Sequence, residues 1–150
     1  MFAQVLLIVN VASECGYTDI NYKQLVQLKN RLITENFEIL AFPCNQFGQQ
    51  EPKKNIAIEK FAKNSYGVNF PMFSKIKVVG ELAHPLYRYL QNQIGRAPEW
   101  NFAKYLVDRD GKVVRFWAQD VTPMSIVYDV QRVISPGTEA YFTKDVKQEL

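Results

Sequence analysis

The chain has 150 residues, two cysteines, one histidine and a formal charge of +3. That length suits one domain with a substantial core, and an apolar fraction of 47% with a charged fraction of 22% excludes disorder and a disulfide-built miniprotein. No basic run exists to engage nucleic acid, and two cysteines with His84 are too few for a structural zinc site, so neither nucleic acid, cofactor nor metal is expected.

The longest apolar run, Val5 to Val11, is broken by Asn10. It is far short of the roughly 20 residues that span a membrane. Met1 to Ala12 lacks the Lys or Arg of a secretory n-region, since the first basic residue is Lys23. Val5 to Val9 therefore reads as a strand buried on both faces, the habit of parallel sheets. Asn10 to Thr18 is a loop of small and polar residues. Asn21 to Thr34 reads as a helix, with Tyr22, Leu25, Val26, Leu28, Leu32 and Ile33 recurring at three- and four-residue spacing; Asp19 or Asn21 is its expected cap. Phe37 to Phe42 is a second buried strand, stopped by Pro43. This strand-helix-strand unit predicts a parallel pair with a right-handed crossover.

After a loop from Cys44 to Glu51, Pro52 opens a helix through Asn64, with Ile56, Ile58, Phe61 and Ala62 apolar. Ser65 to Pro71 is turn-like, and Ile76 to Val79 is a candidate extended piece. His84 to Gln93 reads as a helix with Leu86, Tyr89, Leu90 and Ile94 on one side, ending at Gly95. His84, ahead of Pro85, suits a cap or surface group rather than a base. Phe102 to Val107 and Val113 to Trp117 are strands joined by Asp108-Arg109-Asp110-Gly111, a hairpin signal. Thr122 and Pro123 start a last helix through about Ile134, and Ser135-Pro136-Gly137 stops it. The order is that of an α/β thioredoxin-like fold: a central mixed β-sheet flanked by helices. Residues 1–150 read as a single domain, with 135–150 a mobile tail.

Cys15 follows the first strand and precedes a helix. Reactive groups in α/β folds sit at such carboxyl ends of strands. A helix N-terminus offers free N–H groups and the positive end of the dipole, which favour a thiolate. Ser13, Glu14, Gly16 and Thr18 are poor core formers, so a reactive thiol is expected there rather than a buried hydrophobe. No Cys-x-x-Cys occurs, which disfavours a dithiol oxidoreductase. Asn45-Gln46-Phe47-Gly48-Gln49-Gln50-Glu51 is an amide-rich loop at the end of the second strand, within reach of Cys15. Trp100-Asn101-Phe102 opens a later strand. Their indole and amide groups are neutral donors that can hold a thiolate or a peroxide oxygen.

Three segments together resemble the glutathione peroxidase family. They are Asn10-Val11-Ala12-Ser13-Glu14-Cys15-Gly16-Tyr17-Thr18, Phe42 to Pro52, and Trp100-Asn101-Phe102-Ala103-Lys104-Tyr105-Leu106-Val107. The resemblance runs from Val5 to about Ile134. It implies that the family's catalytic tetrad falls on Cys15, Gln50, Trp100 and Asn101, with Cys15 at the position that is selenocysteine in some members. The insertion of tetrameric members ahead of Trp-Asn-Phe is missing, so a monomer is expected. The resolving cysteine of plant- and insect-like members is missing from Lys53 to Phe73. Cys44 is the remaining candidate resolving partner, as in the endoplasmic-reticulum branch. The last residues, Lys147-Gln148-Glu149-Leu150, are close to a Lys-Asp-Glu-Leu retention signal, so the endoplasmic reticulum lumen is the expected location. Members usually carry a β-hairpin and an export signal before the Val5 strand; a trimmed chain is expected, with a genuinely short form as the alternative.

By this resemblance the chain is a thiol-dependent peroxidase. Cys15 reduces hydrogen peroxide or organic and lipid hydroperoxides through a sulfenic acid. Protein disulfide isomerase, the expected partner, or glutathione re-reduces it. The alternative is a redox sensor that relays oxidation to client thiols with weak turnover; a third reading is a thioredoxin-like binding domain. Cys15 and Cys44 are expected to be unbonded at rest, because adjacent strand ends do not guarantee disulfide geometry.

Overall fold

The computed structural model describes residues 3–138. Strands β1 (Val5–Val11), β2 (Phe37–Pro43), β3 (Lys104–Val107) and β4 (Val113–Trp117) form one sheet in the order β2-β1-β3-β4. β1 and β2 run parallel, and the β1–β3 and β3–β4 pairs are antiparallel. Helices α1 (Thr18–Arg31), α2 (Asn55–Tyr66), α3 (Pro85–Ile94) and α4 (Val127–Ile134) complete the thioredoxin-like layout.

The alternation of β1 sorts the core into two layers. Val5, Leu7, Val9 and Val11 pack with Tyr22, Leu25 and Leu28 of α1 and with Val127, Val130 and Ile134 of α4. Ile8 and Leu6 turn the other way, onto Tyr105, Val107 and the α3 residues Tyr87 and Leu90. Each such side chain contributes about 1.5–3 kcal/mol when fully buried. β1 is covered on both faces, which is why its sequence is an almost unbroken apolar run.

Several boundaries differ from the sequence reading. β3 begins at Lys104, because Phe102 turns at φ +66 and donates its N–H to Asn10 O at 2.6 Å. Ile76 to Val79 makes no strand. The Gln46 side chain takes several of its hydrogen bonds instead: Oε1 accepts Val78 N and Val79 N, and Nε2 donates to Val79 O. The outer edge of β2 is met at Met72 by a single bridge to Ala41. Helix α1 starts at Thr18 with Tyr17 at its N-cap and no side-chain cap. Asp19 pairs with Lys23 at 2.9 Å, and Asn21 Nδ2 donates to Tyr17 O. Helix α2 starts at Asn55, and Ile56 is exposed. In α3 the buried places go to Tyr87 and Leu90, and Tyr89 faces out. A 3-10 turn, Pro123–Ile126, leads into α4, so the last helical stretch is two elements behind Thr122.

The Asp-Gly hairpin forms as expected: Asp108 Oδ1 accepts Asp110 N and Lys112 N, each at 2.9 Å. His84 caps α3 with Nδ1, which accepts Leu86 N at 3.1 Å. Residues 139–150, with Lys147-Gln148-Glu149-Leu150 and most of the expected tail, lie outside the described residues. No helix among the described residues is long and apolar enough to cross a membrane.

Candidate active site

Parallel pairing puts the carboxyl ends of β1 and β2 side by side, with Val11 opposite Pro43. The Cys15 loop leaves one end and the amide-rich loop leaves the other. Cys44 N donates to Val11 O at 3.1 Å where they part.

The Cys15 turn is closed by Thr18. Its hydroxyl accepts Cys15 N at 3.0 Å and donates to Ala12 O at 2.7 Å, and its own N–H reaches Cys15 O. The half-buried Cys15 Sγ accepts Tyr17 N at 3.4 Å, at the mouth of α1. Gly16 and Tyr17 beside it are exposed, so a small solute has access to the sulfur.

Gln50, Trp100 and Asn101 are drawn together from segments 50 residues apart. Asn101 is fully buried; its Nδ2 donates to Gln50 Oε1 at 2.9 Å and to Phe47 O at 3.2 Å. Gly48 lies under both partners: a Cβ built on it would stand 3.0 Å from Trp100 Cη2 and 3.3 Å from Gln50 Nε2. The left-handed pair Gly48 (φ +70) and Gln49 (φ +52) folds the loop back at this point. The cluster is tied to the cysteine loop through the backbone, where Glu14 N donates to Gln50 O at 3.0 Å.

Asn10 anchors the third segment. Its Nδ2 donates to Trp100 O at 3.0 Å, and its carbonyl holds Phe102 N. Sequence reasoning singles out neither Asn10 nor Gly48, although a polar residue interrupting a buried strand is a visible signal for the first. It misses Glu51 as well. That residue is completely buried, accepts Ser13 N on Oε1 at 3.1 Å, and burial pushes its carboxyl up to about 7.

Cys44 is placed differently. Its thiol is fully buried in the layer that holds Ile8, Tyr87 and Tyr105, and burial pushes its pKa up. Cys15 packs against the opposite layer. The two sulfurs thus pack with different apolar clusters, and both are free thiols. Among the described residues no group of three or more His, Cys, Asp or Glu side chains is arranged to hold a metal.

A family model described as glutathione peroxidase matches residues 1–91. Glutathione peroxidase 7 of Mus musculus is 61% identical over 113 residues, which cover 75% of this chain and 61% of that protein. The chain thus spans about three-fifths of the length of that relative. The apo crystal structure of Trgpx is 38% identical with a TM-score of 0.69, covering 87% of this chain and 80% of that one. A solution structure of a thioredoxin-like protein in oxidised form is 17% identical with a TM-score of 0.63, covering 89% and 80%, and shares the fold alone.

Proposed function

Because the chain belongs to the glutathione peroxidase family, we propose that it is a thiol-dependent peroxidase working through Cys15. The observation that carries this reading is the joining of the half-exposed Cys15 loop to the Gln50–Asn101–Trp100 cluster. The Cys15 thiolate attacks one peroxide oxygen and the O–O bond breaks. Sulfur is oxidised to a sulfenic acid, and the other oxygen leaves as water or an alcohol after taking up a proton. The Gln50 amide and the Trp100 indole serve as neutral donors to the thiolate and the departing oxygen, and Asn101, whose Nδ2 donates to Gln50 Oε1 and Phe47 O, holds Gln50 in place. Their role is electrostatic, because none titrates near neutral pH.

An external thiol then condenses with the sulfenic acid, releasing water and leaving a mixed disulfide. A second thiol displaces Cys15 and restores it. Protein disulfide isomerase is the proposed donor and glutathione the competing one. The full burial of Cys44 in a different apolar cluster supports an external donor over Cys44 as resolving residue, since an internal disulfide would require the Cys44 loop to move. The proposed setting is a monomer in the oxidising endoplasmic reticulum lumen, where such disulfides can be handed on.

The test is the rate constant of Cys15 with hydrogen peroxide, followed by mass spectrometry with and without disulfide isomerase. A rate well above that of free cysteine, with a Cys44→Ser variant re-reduced at least as fast as the parent, supports the reading. A rate equal to free cysteine defeats it in favour of a redox relay. Trapping of Cys44→Ser as sulfenic acid makes Cys44 the resolving residue.

A further inference from the structure

We propose that Glu51 is a positioning residue for Cys15, its buried carboxyl locking the loop that carries the thiol onto the loop that carries Gln50. The inference rests on the reading of Cys15 as the reacting group. Glu51 Oε1 accepts the Ser13 N–H, two residues before Cys15. Its main chain is fixed on both sides: Glu51 N donates to Asn45 Oδ1 at 2.9 Å, and Glu51 O accepts Lys75 Nζ at 2.8 Å. With Glu14 N on Gln50 O, two hydrogen bonds staple the loops together. Only one of the two acceptors is ionisable.

The second carboxyl oxygen, Oε2, and the Ser13 hydroxyl are both buried and make no hydrogen bond of ordinary geometry, yet the hydroxyl stands close enough to the carboxyl to oppose the upward push of burial. Both residues line a cavity of about 140 Å³ walled by Pro52, Lys53, Ile58 and Phe61. A carboxyl that served only to fill space here would be better replaced by an apolar side chain, because burying an incompletely partnered acid costs several kcal/mol. Its retention is explained if the acceptor strength itself matters. The charged and titratable groups facing it are Glu14 on the cysteine loop, Lys53 and Lys75 on the far side, Tyr22 on α1 and Cys44 after β2. Burial is the largest influence and brings its titration to about 7. A carboxylate is the stronger acceptor, so the grip on Ser13 tightens as pH rises through neutrality.

Two measurements test this. In the unaltered protein the Ser13 amide proton shift, followed by NMR from about pH 5.5 to 8.5, is expected to titrate with a midpoint near 7; a flat Ser13 profile overturns the proposal even if no variant folds. In a Cys44→Ser background, iodoacetamide alkylation reports on Cys15 alone. Glu51→Ala is expected to slow alkylation about tenfold, the scale of one lost buried hydrogen bond. Glu51→Gln, which keeps an acceptor but does not titrate, is expected to recover most of that rate and to lose the step near neutral pH. Superimposable pH profiles for Glu51→Gln and the parent overturn the proposal. Alkylation reads the loop whether or not Cys15 reduces peroxide, so this inference and the peroxidase reading fail separately.

Discussion

Replacing Gly48 by alanine separates backbone strain from damage to the candidate site. Gly48 sits at φ +70, where a Cβ costs about 1–2 kcal/mol. The added methyl also meets Trp100 Cη2 at 3.0 Å and Gln50 Cδ at 3.3 Å, so the ring and the amide must each yield by a few tenths of an ångström. Gly67, at φ +64 with nothing within 4 Å of where a methyl would stand, carries the strain alone. Gly16, next to Cys15 with open space and no left-handed backbone, carries neither. Urea unfolding is expected to show a loss of about 1–2 kcal/mol for Gly67→Ala, a larger one for Gly48→Ala, and under about 0.5 kcal/mol for Gly16→Ala. Peroxide oxidation of Cys15, measured by competition against a thiol of known rate, is expected to fall about tenfold or more in Gly48→Ala alone, because small displacements of positioned groups are costly. If Gly48→Ala keeps the rate of Gly67→Ala within twofold, the close packing of Gly48 under Trp100 and Gln50 has no bearing on the chemistry.

Other outcomes follow from the same geometry. Under native conditions iodoacetamide is expected to label half-exposed Cys15 at least about a hundredfold faster than buried Cys44; equal labelling in mass-mapped peptides contradicts the placement of Cys44. Asn101→Ala removes the donor to Gln50 Oε1 and Phe47 O, and is expected to cost about 1–3 kcal/mol in unfolding. Combined with Gln50→Ala it is expected to be non-additive in the peroxide rate, since the two side chains touch; strict additivity refutes the shared network. Fully buried Lys104 is pulled down to about 7 from 10.5 by burial. The unfolded chain therefore binds more protons between those values, and stability rises with pH from about 7 to 10.5 by at most about 5 kcal/mol. Lys104→Met is expected to flatten that rise in urea melts at pH 6 and pH 9; an unchanged slope refutes it.

The fold was legible where one physical signal had one outcome. The unbroken aliphatic run of β1 meant burial on both faces, and Asp110-Gly111 meant a hairpin. The adjoining ends of β1 and β2 followed from the strand-helix-strand unit, and with them the meeting of the Cys15 and Gln50 loops. What stayed hidden depended on partners far away in the chain. Phe102 has the composition of a strand residue, yet the Asn10 carbonyl holds its N–H and forces a turn. Ile76 to Val79 has strand composition too, but its backbone bonds go to scattered partners, the Gln46 and Gln91 side chains, Pro43 O and His84 N, rather than to a neighbouring strand. Composition tells that Cys44 follows a buried strand; only the packing tells that it is buried in a different apolar cluster from the one Cys15 packs against. The burial of Lys104, whose Nζ reaches Val121 O at 2.6 Å, leaves no mark in composition at all.

The bond between Asn10 and Trp100 joins residues 90 positions apart, and this sets an order of events during synthesis. At about 5–20 residues per second, roughly 5–18 seconds pass between the making of Asn10 and of Trp100. Cys15 is made early in that interval, and for the rest of it the chain holds neither Trp100 nor Asn101. The loops around the cysteine are therefore joined to this third segment only when most of the given chain has been translated. Any ribosome product that stops short of Trp100 carries the Cys15 loop without the Asn10–Trp100 bond and without the Gln50–Asn101 pair.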